Sequence, residues 1–152
     1  MEYVPLQTRQ KAAEIAGKRM DVVTFGFADT ILILISEDSR LGKMYYVPLT
    51  AAPGGNLQAY DYGDEADDDF SLLPLSHLTP VSVLGGGSNE VEGKMYAVQI
   101  ASMISRQNAD ERRRVVVGMG IARSSSDDIA LGPDARRRFL DILTLVGQCS
   151  VW

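Results

Sequence analysis

The sequence predicts an α+β domain: a largely antiparallel β-sheet with two amphipathic helices on one face, and with the other face available for dimerisation. Three observations point there. The stretch from Arg19 to Leu49 parses as three successive strands with tight connections. Asn89 to Gln107, and the segment that follows Pro133, place apolar residues at helical spacing. The resulting order of strand, strand, strand, strand, loop, strand, helix, strand, helix contains no internal repeat and describes one domain over residues 1–152.

The centre of this reading is the strand Thr30 to Ser36. It carries five consecutive apolar residues, Ile31, Leu32, Ile33, Leu34 and Ile35. Because side chains alternate across a strand, both faces of the sheet are apolar at that point. Two helices can cover one face. Each such side chain contributes roughly 1.5–3 kcal/mol when buried, so the second face also calls for a cover. Too few strands are left to build a second sheet, and a partner chain is expected to supply one. The candidate interface is either Ile31, Ile33 and Ile35 or the alternate pair Leu32 and Leu34, since the sequence alone does not say which set points outward.

Taken in order, Met1 to Gln10 has no clear period and reads as a partly ordered lead-in. Lys11 to Ala16, then Gly17-Lys18, then Arg19 to Ala28 reads as a hairpin, because Gly17 can take the positive φ of a two-residue turn. Ala12-Ala13-Glu14 could equally be helical. Ala28-Asp29 turns the chain into the apolar strand, Glu37 to Lys43 leads out of it past Gly42, and Met44 to Leu49 is the next strand, with Pro48 near its end. Thr50 to Thr79 holds Pro53, Gly54 and Gly55 and then Asp61, Asp64, Glu65, Asp67, Asp68 and Asp69, with no period to bury. It is expected to be a long, acidic, largely disordered loop. Pro80 to Leu84 is a short strand closed by Gly85-Gly86-Gly87. Asn89 with Glu92 fits a capping box, and Tyr96, Ala97, Ile100, Met103 and Ile104 share one helical face. Arg112 to Ile121 is the last strand, in which Gly118 and Gly120 would allow a neighbour to approach closely. Arg123 to Leu131 is polar. Pro133 opens a second helix with the stripe Ala135, Phe139, Ile142, Leu143 and Val146, which Gly147 stops.

Composition excludes more chemistry than it suggests. The 152 residues are 45% apolar and 23% charged, with a net charge of −5, which argues against general nucleic-acid binding. No apolar run is long enough to cross a bilayer, and MEYVPLQTRQK lacks an apolar signal core, so a cytosolic or nuclear protein is expected, without membrane partners. Cys149 stands alone, and a reducing compartment is the simple reading. His77 is the single histidine and lies in the acidic loop, with no G-x-S-x-G turn to hold a nucleophile. Nothing near Cys149 would lower its pKa, and one Cys with one His cannot hold zinc. The acidic loop lacks the alternating ligands, central Gly and terminal Glu of a calcium loop. Gly85-Gly86-Gly87-Ser88 ahead of a helix invites a phosphate, but neither phosphate-loop pattern is present and Glu90 and Glu92 would repel one. The runs Arg112 to Arg114 and Arg136 to Arg138 read first as solvated ends of a strand and a helix, and second as protein contacts. No catalytic, cofactor or metal residue is assigned, and no enzyme is expected.

Several collinear pieces carry a resemblance. They are Thr24-Phe25 leading through Ala28 into Ile31 to Ile35, the connection Leu41-Gly42-Lys43-Met44, Val83-Leu84-Gly85 ahead of the first helix, and the ending Cys149-Ser150-Val151-Trp152. In this order they resemble the proteasome assembly chaperone 3 family over about two-thirds of the chain. The resemblance implies a small non-catalytic chaperone for 20S proteasome assembly, a sheet with two helices that pairs with itself or with the related fourth chaperone. The pair would transiently hold an α-type proteasome subunit. It implies Lys43 as a candidate partner contact, expected to be exposed in a strand connection. The segment Thr50 to Thr79 is longer than the corresponding connection in animal members, and the arginine runs match no motif of the family. An adaptor that binds a basic partner through the acidic loop is the alternative, and an enzyme that holds a phosphorylated ligand on the glycine-rich turn ranks third.

Overall fold

The run of five apolar residues alternates once it is folded. Ile31, Ile33 and Ile35 are fully buried, whereas Leu32 and Leu34 are only partly so, as one face of a strand differs from the other. The computed structural model describes residues 5–49, 75, 77–85, 90–121 and 133–152. Its elements are β1 (Gln7–Ile15), β2 (Lys18–Gly26), β3 (Thr30–Glu37), β4 (Lys43–Val47), β5 (Val81–Leu84), α1 (Glu90–Gln107), β6 (Arg114–Gly120) and α2 (Pro133–Gly147). The six strands form one sheet in the order β1-β2-β3-β6-β4-β5, and every neighbouring pair is antiparallel except β3 with β6. The expected α+β architecture with a largely antiparallel sheet is the one found.

One face of the sheet is the core. Met20 and Val22 of β2, the three isoleucines of β3, Tyr45 and Val47 of β4, and Val115 and Val117 of β6 have no exposure at all. Helix α1 covers the β4 and β6 side with Tyr96, Ala97, Ile100, Ala101 and Ile104, four of which were anticipated by their spacing. Gly93 is where α1 comes closest, because a side chain there would run into the ring of Tyr45. Helix α2 lies toward β1 and contributes Ile142, Leu143, Leu145 and Val146. The helices meet each other where the rings of Tyr96 and Phe139 make a tilted contact, with centroids 4.7 Å apart and an interplanar angle of 57°.

The two-residue turn between β1 and β2 is made by Ala16 and Gly17, both at positive φ (54° and 76°), and pairs Ile15 with Lys18. That register runs back to Gln7 opposite Gly26. The segment read as a lead-in up to Gln10 is therefore partly strand. Its side chains are polar and exposed at a sheet edge, so no apolar alternation marks it in the sequence.

The parallel pair explains the glycines near the end of β6. Inserted between β3 and β4, β6 finishes beside the end of β3, so the connection from β3 to β4 has to cross over its last residues. Asp38 and Ser39 turn that connection at positive φ, Gly42 N–H donates to the Met119 carbonyl at 3.0 Å, and the Arg40 carbonyl lies where a Cβ of residue 120 would be. Gly118 has a similar role on the uncovered face, where an added Cβ would come within 2.8 Å of the Leu34 side chain.

Most of the acidic segment falls outside the described residues, but its far end is anchored. Leu78 is buried, and the Leu75 N–H donates to the Ser102 hydroxyl of α1 at 2.9 Å. Gly120→Ala should destabilise the fold by about 1–3 kcal/mol, because relief of the overlap requires the backbone of the crossover to move. Gly42→Ala, where a Cβ meets nothing within 4 Å, should stay within about 0.5 kcal/mol of wild type. Chemical denaturation of the two variants checks the pair.

Candidate functional site: the uncovered face of the sheet

Register carries side chains on the second face into two rows that cross the whole sheet. The first runs Thr8, Phe25, Leu32, Val116, Tyr46, Val81 and the second Gln10, Val23, Leu34, Gly118, Met44, Leu84. A third, shorter row reads Ala12, Asp21, Ser36, Gly120. The middle of this face is apolar, and its margin at β1 and toward the end of β3 is polar. Antiparallel sheets with one solvated face usually alternate apolar-in with polar-out, and here β3, β6 and β4 do not. Gly118 lets Leu34, Met44 and Leu41 close over the centre, and Leu41 is itself 54% exposed. Phe27 stacks on Phe25 at 6.3 Å and extends the patch to the opposite end of the strands. The apolar surface thus has polar margins at β1 and toward the end of β3 and runs on to exposed Val81 and Leu84 at the β5 edge, and a contiguous exposed apolar patch of this kind marks a protein–protein contact surface.

This placement divides the candidate interface residues. Leu32 and Leu34 lie on the uncovered face. Ile31, Ile33 and Ile35 do not: they are the floor of the core beneath the helices, and the alternative that put them at an interface is corrected. Lys43 also differs from expectation. It opens β4 opposite Met119 rather than sitting in the connection, it is half-buried, and with Glu92, Tyr96 and Met119 it lines a pocket of about 200 Å³.

The remaining candidates for chemistry are placed as follows. Cys149 is buried and burial pushes its thiol pKa up; its carbonyl accepts from the buried Thr24 hydroxyl, which ties the chain after α2 to β2. His77 is half-buried in the turn just before Leu78. Among the described residues no three His, Cys, Asp or Glu side chains are grouped as a metal site would need, and no described helix is long and apolar enough to cross a membrane.

The arginine runs are less solvated than their composition suggests. Arg113 makes a two-pronged pair with Glu111 (2.8 Å from Nε and 2.8 Å from Nη2) and also donates to the carbonyls of Phe27 and Val151 at 3.2 and 3.3 Å. It thus clips the β2–β3 turn, the entry to β6 and the C-terminal residues together. Arg138 of α2 reaches Glu37 of β3 at 2.8 Å, and Lys18 meets the same carboxylate at 3.0 Å. Sequence reasoning missed both clips, because their partners are far away in the chain or, for Glu111, indistinguishable from other surface acids.

Comparison with protein-family models and with curated proteins returns no match. Among solved structures, the chain is similar to one from the "Crystal Structure of a Novel Chaperone Complex for Yeast 20S Proteasome Assembly", with a TM-score of 0.60 and 19% sequence identity over 93% of this chain and 97% of that one. The likeness is one of fold, and it extends over nearly the whole of both chains.

The Arg113 clip makes a pH-dependent contribution. Its hydrogen bonds to Glu111 hold that carboxyl below the usual carboxylate range, against the opposing effect of burial. A lowered folded-state pKa stabilises above the unfolded value and is lost as pH falls through the folded one. Glu111→Gln should therefore cost about 1.5–3 kcal/mol near neutral pH. The gap to wild type should close as the solution is acidified below roughly pH 4. Urea unfolding at a series of pH values measures both.

Proposed function

We propose that this chain is a non-catalytic chaperone for 20S proteasome assembly, which pairs through the uncovered face of its sheet and, as a pair, transiently holds a proteasome α-type subunit. The observation that supports it best is the apolar centre of that face, centred on Leu32, Leu34 and Val116, in a fold shared with a chain of the yeast assembly-chaperone complex. The partner on the face would be a second copy or a related assembly chaperone, the fourth of the family that the sequence resembles. Lys43 lies next to the crossover at one end of the sheet and is kept as a candidate contact for the α subunit. The protein would act in the cytosol or nucleus, without nucleic acid or membrane.

The experiment has two parts. Affinity capture from the native cell extract, followed by mass spectrometry, should recover free α-type subunits and a second small chaperone but not mature proteasomes. Light scattering on the purified chain, alone and with the captured chaperone, should show a dimer that the double variant Leu32→Asp, Leu34→Asp reduces to a folded monomer. These two positions are partly open, so the double variant should keep its circular dichroism, whereas Ile33→Asp in the core should lose it. A monomeric wild type that captures no α subunit would overturn the proposal. The adaptor reading separates through deletion of residues 51–74, which leaves the anchors Leu75 and Leu78 in place: an adaptor loses its partner, and the chaperone keeps dimerisation and α-subunit binding.

A further inference from the structure

A second feature lies at the end of the sheet where β3 and β6 begin. Ala28, Asp29, Tyr46, Pro48, Leu49 and the three arginines 112–114 enclose an open groove of about 490 Å³. Its charges are not balanced locally. The Arg113 guanidinium is matched by Glu111. Among the described residues Arg112 gives hydrogen bonds only to the carbonyls of Ala109 and Glu111 and has no carboxylate at ion-pair distance. Arg114 faces Asp29 at 3.8 Å, with both side chains more than half exposed. Two exposed guanidiniums therefore line the groove together with the largely apolar Tyr46, Pro48 and Leu49, and the one carboxylate of the lining, Asp29, is 3.8 Å from Arg114 and accepts from the Thr30 hydroxyl at 3.1 Å.

We propose that this groove binds an acidic segment of a partner protein in extended conformation. The argument is charge complementarity on a spacing. Arg112 and Arg114 are two residues apart, and in an extended peptide residues i and i+2 project to the same side, so alternate acidic residues can meet both guanidiniums while the intervening side chains reach the apolar part of the lining. Guanidinium suits carboxylate, because its planar donors take both oxygens at once. Asp29 is the internal competitor: it occupies Arg114 weakly and would be displaced. A long polyanion such as nucleic acid fits less well, since a chain with a net charge of −5 repels it outside the groove and Tyr46, Pro48 and Leu49 offer largely apolar surface rather than further cations. This goes beyond the chaperone reading and does not depend on it.

The test uses fluorescence anisotropy with the full chain and a dye-labelled hexapeptide of alternating glutamate and leucine. A lysine–leucine hexapeptide and a short single-stranded oligonucleotide are the controls. The acidic peptide should bind, and Arg112→Gln with Arg114→Gln should weaken it by roughly tenfold or more. Asp29→Asn should tighten it severalfold. Both arginine side chains are exposed, and the bond that holds the strand entry, Arg114 N–H to the Asp29 carbonyl at 3.1 Å, is made by backbone, so these variants should keep wild-type circular dichroism. Affinity should fall as salt shortens the range of the charges. Equal binding of the lysine peptide, an unchanged affinity in the arginine variant, or tighter binding of the oligonucleotide would each overturn the proposal.

Discussion

The insertion of β6 between β3 and β4 is the constraint on which the rest of the structure depends. A parallel neighbour for β3 cannot come from a hairpin; it requires a crossover, and the chain makes it through β4, β5 and α1. That route places α1 over one face and the β3–β4 connection over the end of β6. It also makes β3 and β6 the two central strands, each flanked on both sides, so the apolar runs of both lie mid-sheet. Gly118 and Gly120 are the local consequences, one admitting Leu34 from the uncovered face and the other the Arg40 carbonyl from the crossover.

How much of this was legible in the sequence varies with the physical signal. Helix α1 and helix α2 are written in the spacing of Tyr96, Ile100 and Ile104 and of Phe139, Ile142 and Val146, and the hairpin turn in Gly17. The glycines of β6 also read correctly as places of close approach. What approaches them could not be read, because the crossover is a property of strand order, and strand order depends on pairings between residues far apart in the chain. The same limit applied to the faces of β3. Alternation in Ile31 to Ile35 is perfect, but a run with no polar member gives no phase, and only helix placement decides that the isoleucines are core and the leucines are not. β1 shows the converse, since Gln7 to Gln10 are strand by virtue of β2 alone.

Charge was the least legible level. The two arginine runs look equivalent in composition, and each places one member in a buried or half-buried pair, Arg113 with Glu111 and Arg138 with Glu37. A desolvated carboxylate needs its partner, so removal of one side costs more than a surface pair would, and these contacts belong to the fold rather than to its solvation. Lys43 was misplaced for a related reason: a glycine before it suggested a loop, but pairing with Met119 begins at the lysine itself.

The edges of the sheet bear on how the proposed pairing would be made. An exposed strand edge is a template for another strand, and proteins blunt it with charge, shortness or bulges. β1 is long but carries Arg9, Lys11 and Glu14 among exposed polar residues, and β5 is only four residues with a register shift against β4. Both edges are thus poor sites for sheet extension, while the face between them presents Phe25, Leu32, Leu34, Val116 and Met44 to solvent. Association through the face buries apolar surface with no demand on backbone hydrogen bonds, and it leaves the ends of the strands accessible, with the arginine groove at one end and the crossover beside Lys43 at the other. A pair built in this way would keep two chemically different ends of each sheet free for further partners.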